Sequence, residues 1–268
     1  MLDPFNREIT YLRVSATDRC NLRCQYCMPA QGVRLKPHEE ILTFEQITEI
    51  CQVASRLGIW KVRLTGGEPL VRKNITHLIH MISEINGIKE LCLSTNGVLL
   101  APLAKELKQA GLSRVNISLD TLDAQKYNQI TRGGDIQKVF SGIEAAKKAG
   151  FSDTKINMVL IPGFNTHEIK KMFSLCQKNG LILQRINHYF LDSNLKTGYT
   201  CEADRPPDCR KCNRIRLTAD GMLKPCLFSE LEIPVNFNDI KSSLRWAVQS
   251  KPAWGQTGTR RGNWEIGG

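Results

Sequence analysis

The chain has 268 residues, with 37 Lys and Arg against 26 Asp and Glu, a formal net charge of +11, and 41% hydrophobic residues. That length makes one large domain or two modest ones, and 20 Gly and 11 Pro exclude the collagen-like, disordered and disulfide-knot classes. No apolar run approaches the ~20 residues that span a bilayer, and MLDPFNREIT lacks the basic and apolar regions of a signal peptide, so a reducing, cytoplasmic compartment is expected.

Strand-like runs follow one another at 11–15, 60–65, 89–94, 114–119, 155–161 and 183–189, with helical patterns between them. Thr43 with Gln46 reads as a capping box ahead of a helix through Ser55. Asn165 with Glu168 reads the same way, ahead of a helix through Lys178. Pro102 sits in the first turn of a helix over 103–110, which Gly111 closes. Six strands separated by helices imply parallel pairing with right-handed crossovers, in an open doubly wound sheet or a partial barrel. Both architectures put chemistry at the carboxyl ends of the strands. Beyond about residue 192 the pattern changes, so a division into 1–192 and 193–268 is expected. Runs at 214–218 and 222–227 flank Asp220-Gly221 and predict a hairpin, followed by a short helix near 240–249. Residues 251–268 are rich in Gly and Arg and have no periodicity.

Ten cysteines in a reducing compartment point to metal or redox chemistry. Cys51, Cys92 and Cys176 lie in strand or helix patterns and read as small buried hydrophobes. Cys20, Cys24 and Cys27 sit on the loop after the first strand, and three thiolates so close can share a centre of zinc or iron–sulfur type. Three ligands leave one metal position open, which suits a reactive cluster better than a structural zinc. Cys209, Cys212 and Cys226 bracket the hairpin; by spacing alone they read equally as a zinc ribbon with Cys201 as fourth ligand.

CNLRCQYC, with an aromatic residue (Tyr26) before the last cysteine, resembles the CxxxCxxC signature of radical S-adenosylmethionine (SAM) enzymes. Gly66-Gly67-Glu68-Pro69 resembles that family's GGEP motif, and Ser94-Thr95-Asn96-Gly97 and Ile117-Ser118-Leu119-Asp120 end the third and fourth strands. CRKCNRIRLTADG…PCLFS, ITYLRVSATDRCNLRCQYCMP and the closing Gly267-Gly268 resemble the GTP 3′,8-cyclases of molybdenum-cofactor synthesis, the MoaA family, over nearly the whole chain.

The resemblance implies an α/β fold, a partial (β/α)6 TIM-like barrel of the radical SAM type with a cluster-binding C-terminal extension. It implies two [4Fe-4S] clusters, one on Cys20, Cys24 and Cys27 and one on Cys209, Cys212 and Cys226, with SAM chelated to the first and guanine held by the second. A 5′-deoxyadenosyl radical then abstracts the ribose 3′ hydrogen of GTP, and the C3′ radical closes onto C8. By the same resemblance Tyr26, Gly66, Gly67, Glu68, Ser118 and Phe190 contact SAM. Arg13, Arg63, Ser94, Lys155, Arg214, Ile215 and Arg216 contact GTP, and Gly267 and Gly268 reach in beside it. The catalytic candidates are the first three cysteines, Arg214, Arg216, Gly267 and Gly268. Arg185 joins the substrate-binding set on charge, because a triphosphate needs converging cations and Arg offers a bidentate fork. The implied partners are GTP, a flavodoxin- or ferredoxin-like one-electron reductant and a downstream pterin synthase, with the protein a monomer or homodimer.

The chain departs from the family by being several dozen residues shorter before the second cysteine group, and by Phe190 where members carry Met. Cys201, if a fourth ligand, would leave no open iron for guanine. Two rivals differ in kind. One is a radical SAM maturase acting on a peptide. The other is a zinc-ribbon protein binding nucleic acid, against which stand cations spread over the whole chain and no basic–aromatic RNA motif.

Overall fold

Side chains alternate between two faces along Tyr11–Ser15, the first strand (β1) of the computed structural model. The structure describes residues 1–188, 203–204, 208–255 and 261–267. Five further strands follow: β2 (Lys61–Thr65), β3 (Glu90–Thr95), β4 (Arg114–Ser118), β5 (Lys155–Leu160) and β6 (Ile182–Asn187). Between them lie α1 (Phe44–Arg56), α2 (Ile75–Ser83), α3 (Leu100–Gln109), α4 (Ala124–Thr131), α5 (Ile136–Lys148) and α6 (Ile169–Asn179). Then come β7 (Arg214–Leu217), β8 (Met222–Lys224), β9 (Ile233–Pro234), α7 (Ile240–Gln249) and α8 (Asn263–Ile266).

One sheet takes the order β6-β5-β4-β3-β2-β1-β7-β8-β9, with β1 to β6 parallel and strictly sequential. A doubly wound sheet must reverse its strand order at a switch point. This one never does, so successive right-handed crossovers put α1 to α6 on one face and the sheet curls into a partial barrel. The core lies between that outer face and the helices: Leu12, Val14, Val62, Leu64, Leu93, Val115, Ile117 and Met158 pack there with Ile47, Ile50, Leu78 and Leu107, all fully buried. Each such side chain stabilises the fold by about 1.5–3 kcal/mol. The inner face carries Arg13, Arg63, Asn116 and Asn157 instead, so the barrel holds a polar cavity in place of a packed apolar centre.

β7 extends the sheet on the other side of β1, pairing with it in parallel, and the turn through Gly221 (φ +82°) returns the chain as antiparallel β8. The hairpin predicted in the 193–268 segment is therefore hydrogen-bonded to the barrel's first strand. The Thr43–Gln46 capping box is present. The Asn165–Glu168 box is not: Asn165 Nδ2 donates to the Asp120 and Val159 carbonyls, its Oδ1 accepts from Ile161 N, and a 3-10 turn, Thr166–Glu168, precedes α6. α3 begins at Leu100, earlier than expected, and the aperiodic tail contains the one-turn α8. Among the described residues no helix is long and apolar enough to cross a membrane.

Candidate active site

At the carboxyl end of the barrel the segments after β1 and β2 go on pairing beyond their strands. Gly67 N donates to the Thr17 carbonyl and Glu68 N to that of Arg19, each at 2.8 Å. Only glycine allows this approach: a Cβ on Gly66 would overlap the Thr17 carbonyl oxygen, and one on Gly67 that of Arg19. The Glu68 side chain, 1% exposed, accepts from Leu70 N, Thr95 Oγ1 and Asn96 N, which brackets the ends of β2 and β3. Burial pushes its pKa up to about 7 despite those bonds. Tyr26 Oη donates to Asp120 Oδ2, whose other oxygen accepts from Val159 N, so the cysteine loop is tied to β4 and β5.

Cys20, Cys24 and Cys27 line the cavity mouth, partly exposed. Burial pushes the thiol of Cys20 up to about 11, that of Cys27 to about 12, and that of Cys24 well above its usual range. Such thiols lose their protons to a metal, not to water. Among the described residues no three His, Cys, Asp or Glu converge on a single ion; cubane thiolates each take a different iron, and a three-sulfur donor set at an open mouth fits such a cluster.

Deeper in, the register aligns cations. Tyr11, Arg13 and Ser15 of β1 stand beside Lys61, Arg63 and Thr65 of β2, while Tyr11 and Arg13 stand beside Arg214 and Arg216 of β7. Partners in register share a face, so these side chains point inward together. Glu90 holds Lys61 (2.6 Å) and Arg114. Burial would raise the pKa of Tyr11, but Arg63, Arg13 and Arg214 outweigh it and lower it. Burial, with Arg216, Arg63 and Arg214, drives Arg13 down to about 9 against the pull of Tyr11. Buried like charges crowded this way call for an anion. Around them Ser94 Oγ, both amide ends of Asn116, Asn157 Oδ1 and Arg63 Nε have no hydrogen-bond partner among the described residues, and buried orphans of that kind mark a missing ligand or water. The cavity measures about 390 Å³, ample for a small-molecule ligand.

The second cysteine group lies at the other end. Cys209 opens a 3-10 turn, Cys212 N donates to the Cys209 carbonyl, and Asn213 O accepts from Thr10 N and Tyr11 N, so Cys212 enters β7 at the amino end of β1. A five-residue strand, ~17 Å long, therefore separates the two cysteine groups. Asn213, Arg214 and Leu227 line the cavity, and Cys212 and Cys226 are the chain neighbours of Asn213 and Leu227. Lys251, 4% exposed, donates to the Arg214 and Pro225 carbonyls (both 2.8 Å) and reaches Cys212 Sγ at 3.6 Å. Burial lowers the pKa of Lys251, and a Cys212 thiolate beside it favours the ammonium. Burial raises the Cys212 pKa, yet Lys251, Arg214 and Arg7 outweigh it and lower it. That is the chemistry of a metal-ligand thiolate at Cys212.

The tail enters beside β2. Gly267 adopts φ +64°, and a Cβ there would overlap Thr65 Oγ1. Its carbonyl accepts from Arg13 Nη2 (3.0 Å) and Arg216 Nη1 (2.9 Å).

The Radical SAM superfamily matches residues 14–176 of this sequence. A GTP 3′,8-cyclase of Alkaliphilus oremlandii is 41% identical over 298 residues, covering 94% of this chain and 93% of the relative. The chain belongs to the radical SAM GTP 3′,8-cyclase family. A second cyclase, from Moorella thermoacetica, is 42% identical over 288 residues, covering 91% of this chain and 88% of its own. Both alignments run longer than the 268 residues here, so these cyclases carry residues this member lacks. Among solved structures, SuiB of Streptococcus suis bound to S-adenosylmethionine superposes with a TM-score of 0.69 at 14% identity, over 94% of this chain and 66% of SuiB. That likeness speaks for the barrel fold, and this chain spans just under two thirds of SuiB.

Of the residues that the cyclase resemblance singled out, the cavity gathers Cys20, Cys24, Cys27, Tyr26, Gly66, Gly67, Glu68, Ser118, Arg13, Arg63, Ser94, Lys155, Arg214, Arg216 and Gly267. Two depart. Arg185 does not line the cavity: Gln184 and Ile186 hold the inward positions of β6, and the Arg185 guanidinium pairs with Asp204 at 2.9 Å. Ile215, fully buried, lies between inward Arg214 and Arg216 and packs into the apolar core. Phe190, Cys201 and Gly268 fall outside the described residues. Sequence reasoning missed Asn116 and Asn157, whose signal is a lone amide at one parity of an otherwise apolar strand, and Lys61 and Arg114, which flank Glu90.

Proposed function

We propose that this chain converts GTP to (8S)-3′,8-cyclo-7,8-dihydroguanosine 5′-triphosphate, as a radical SAM lyase of molybdenum-cofactor biosynthesis. The observation that carries the reading is the arrangement of one cavity between two cysteine groups, with the inward arginines of β1, β2 and β7 between them. Cys20, Cys24 and Cys27 would hold the [4Fe-4S] cluster that chelates SAM, and Cys209, Cys212 and Cys226 a second one. When bound, cluster and SAM supply the one-electron chemistry that takes the ribose 3′ hydrogen.

The chain's own residues bind, orient and seal. Arg13, Arg63, Arg214, Arg216 and Lys155 receive the triphosphate as converging cations, in a setting where burial strengthens each contact. Ser94, Asn116 and Asn157 offer unpaired groups for the ribose and base edges. The carbonyls at Gly66-Gly67 and the Ser118 hydroxyl face the SAM end, where Tyr26, fixed by Asp120, closes one side. Gly267 seats its carbonyl on Arg13 and Arg216, beside the reacting sugar. A flavodoxin- or ferredoxin-like protein delivers the electron, a pterin synthase takes the product, and the enzyme works as a monomer or homodimer.

The test is anaerobic incubation of reconstituted protein with SAM, dithionite and either GTP, ATP or no nucleotide, followed by mass spectrometry. Deoxyadenosine that rises only with GTP, together with a GTP isomer of new retention, is the expected result. Deoxyadenosine independent of nucleotide would keep the radical chemistry and overturn the substrate.

A further inference from the structure

Among the described residues of the tail, Arg261 makes the densest set of charged contacts. Its Nε donates to both oxygens of Glu232 (2.7 and 2.8 Å), and Nη1 and Nη2 donate to Asp220 Oδ1 and Oδ2 (both 2.9 Å). One guanidinium thus takes two carboxylates at once, a geometry Lys cannot reproduce. Both carboxylates are themselves fixed by the hairpin. Asp220, on the β7–β8 turn, accepts from Thr218 Oγ1 (2.6 Å) and pairs with Lys36 (3.1 Å). Glu232, just before β9, pairs with Lys224, whose ammonium is fully buried (3.1 Å).

Five residues separate Arg261 from Gly267. The link is short and stiff: Gly262 N donates to Glu265 Oε2 (2.9 Å), α8 makes one turn, and Ile266 is 1% exposed. Wherever Arg261 is anchored, the Gly267 carbonyl must follow within one turn of helix. We propose that Arg261 is the positioning residue of the tail, clamping Asp220 and Glu232 so that α8 delivers the Gly267 carbonyl onto Arg13 and Arg216. The inference rests on the GTP-cyclase reading for its kinetic consequence but not for its geometry. Removing Arg261 leaves Asp220 with Lys36, Glu232 with Lys224, and the partly exposed Glu265, 3.7 Å from Arg261, still accepting from Gly262 N, so no buried carboxylate is stranded and the barrel keeps its fold.

The test compares anaerobic, cluster-loaded wild type, R261Q, R261K and D220N. Glutamyl endopeptidase cuts after Glu265, and intact mass follows loss of the last three residues. In R261Q that cut becomes roughly tenfold faster, kcat for the cyclised product falls roughly tenfold and the Kd for GTP stays within about twofold. R261K, which keeps the charge and loses the fork, recovers part of both. D220N, with Glu232 still holding Nε, lies between wild type and R261Q. A wild-type cutting rate or a wild-type kcat in R261Q, with iron content and circular dichroism unchanged, overturns the proposal. If R261Q loses its iron, D220N decides: cutting at the wild-type rate overturns it. Should wild type fail to cyclise GTP, the functional reading fails, while the cutting rates still decide the clamp.

Discussion

Arg13 and Arg216 are register partners on parallel strands, and their guanidiniums converge on one carbonyl oxygen, that of Gly267. A guanidinium carries five N–H groups, so the tail carbonyl occupies one donor of each arginine. On the proposed reading the same pair also meets a phosphate of GTP.

Replacing either arginine by Gln should therefore weaken GTP without unfolding the barrel. A charge-assisted bond is worth about 1.5–3 kcal/mol, so R13Q and R216Q should each raise the Kd for GTP by roughly 10- to 100-fold in calorimetric titration. R185Q, at a residue turned toward Asp204, should leave that Kd unchanged.

Gly67→Ala should cost about 1–3 kcal/mol as overpacking, because its Cβ has no room beside the Arg19 carbonyl. The loop that carries Cys20 would shift, and we expect lower SAM affinity by equilibrium dialysis along with a lower melting temperature.

Lys251→Met keeps most of the apolar stem of the side chain and removes the ammonium between Cys212 and two carbonyls. Partners of metal ligands typically govern 10- to 100-fold in metal affinity. On the proposed two-cluster reading, the variant should retain roughly half of the wild-type iron after mild chelation; full iron would mean that Lys251 does not support the second cluster.

Glu68 sets a pH dependence. Its folded pKa is about 7, above the ordinary Glu value, because burial opposes ionisation. The stabilisation it gives is complete below the unfolded pKa and fades as pH rises to about 7. The melting-temperature difference between wild type and E68Q should shrink from pH 5 to pH 7 and stay flat above.

The fold was legible where local signals agreed with tertiary ones. Thr43 caps α1 as written, and Asp220-Gly221 turns the hairpin. Asn165 misled because an Asx side chain satisfies loop carbonyls as readily as helix amides, and here β4 and β5 claim it. α8 is one turn, too short for a period. In the site, the cysteine spacings and the Gly66-Gly67 pair carried most of the reading. Arg185 failed because charge argued for the inside, whereas register with β5 puts Gln184 beside inward Asn157. Parity is fixed by strand pairing, which no single strand reveals.

The pairing of β7 with β1 also decides where this chain can change length. A slip of one residue between those strands would turn Arg214 and Arg216 outward and bring Ile215 into the cavity. A change of length between the end of β6 and Cys209 alters neither β1 nor β7, so that alignment can survive it. The connecting segment can vary in length while the spacing of the arginines stays quantised by the ladder.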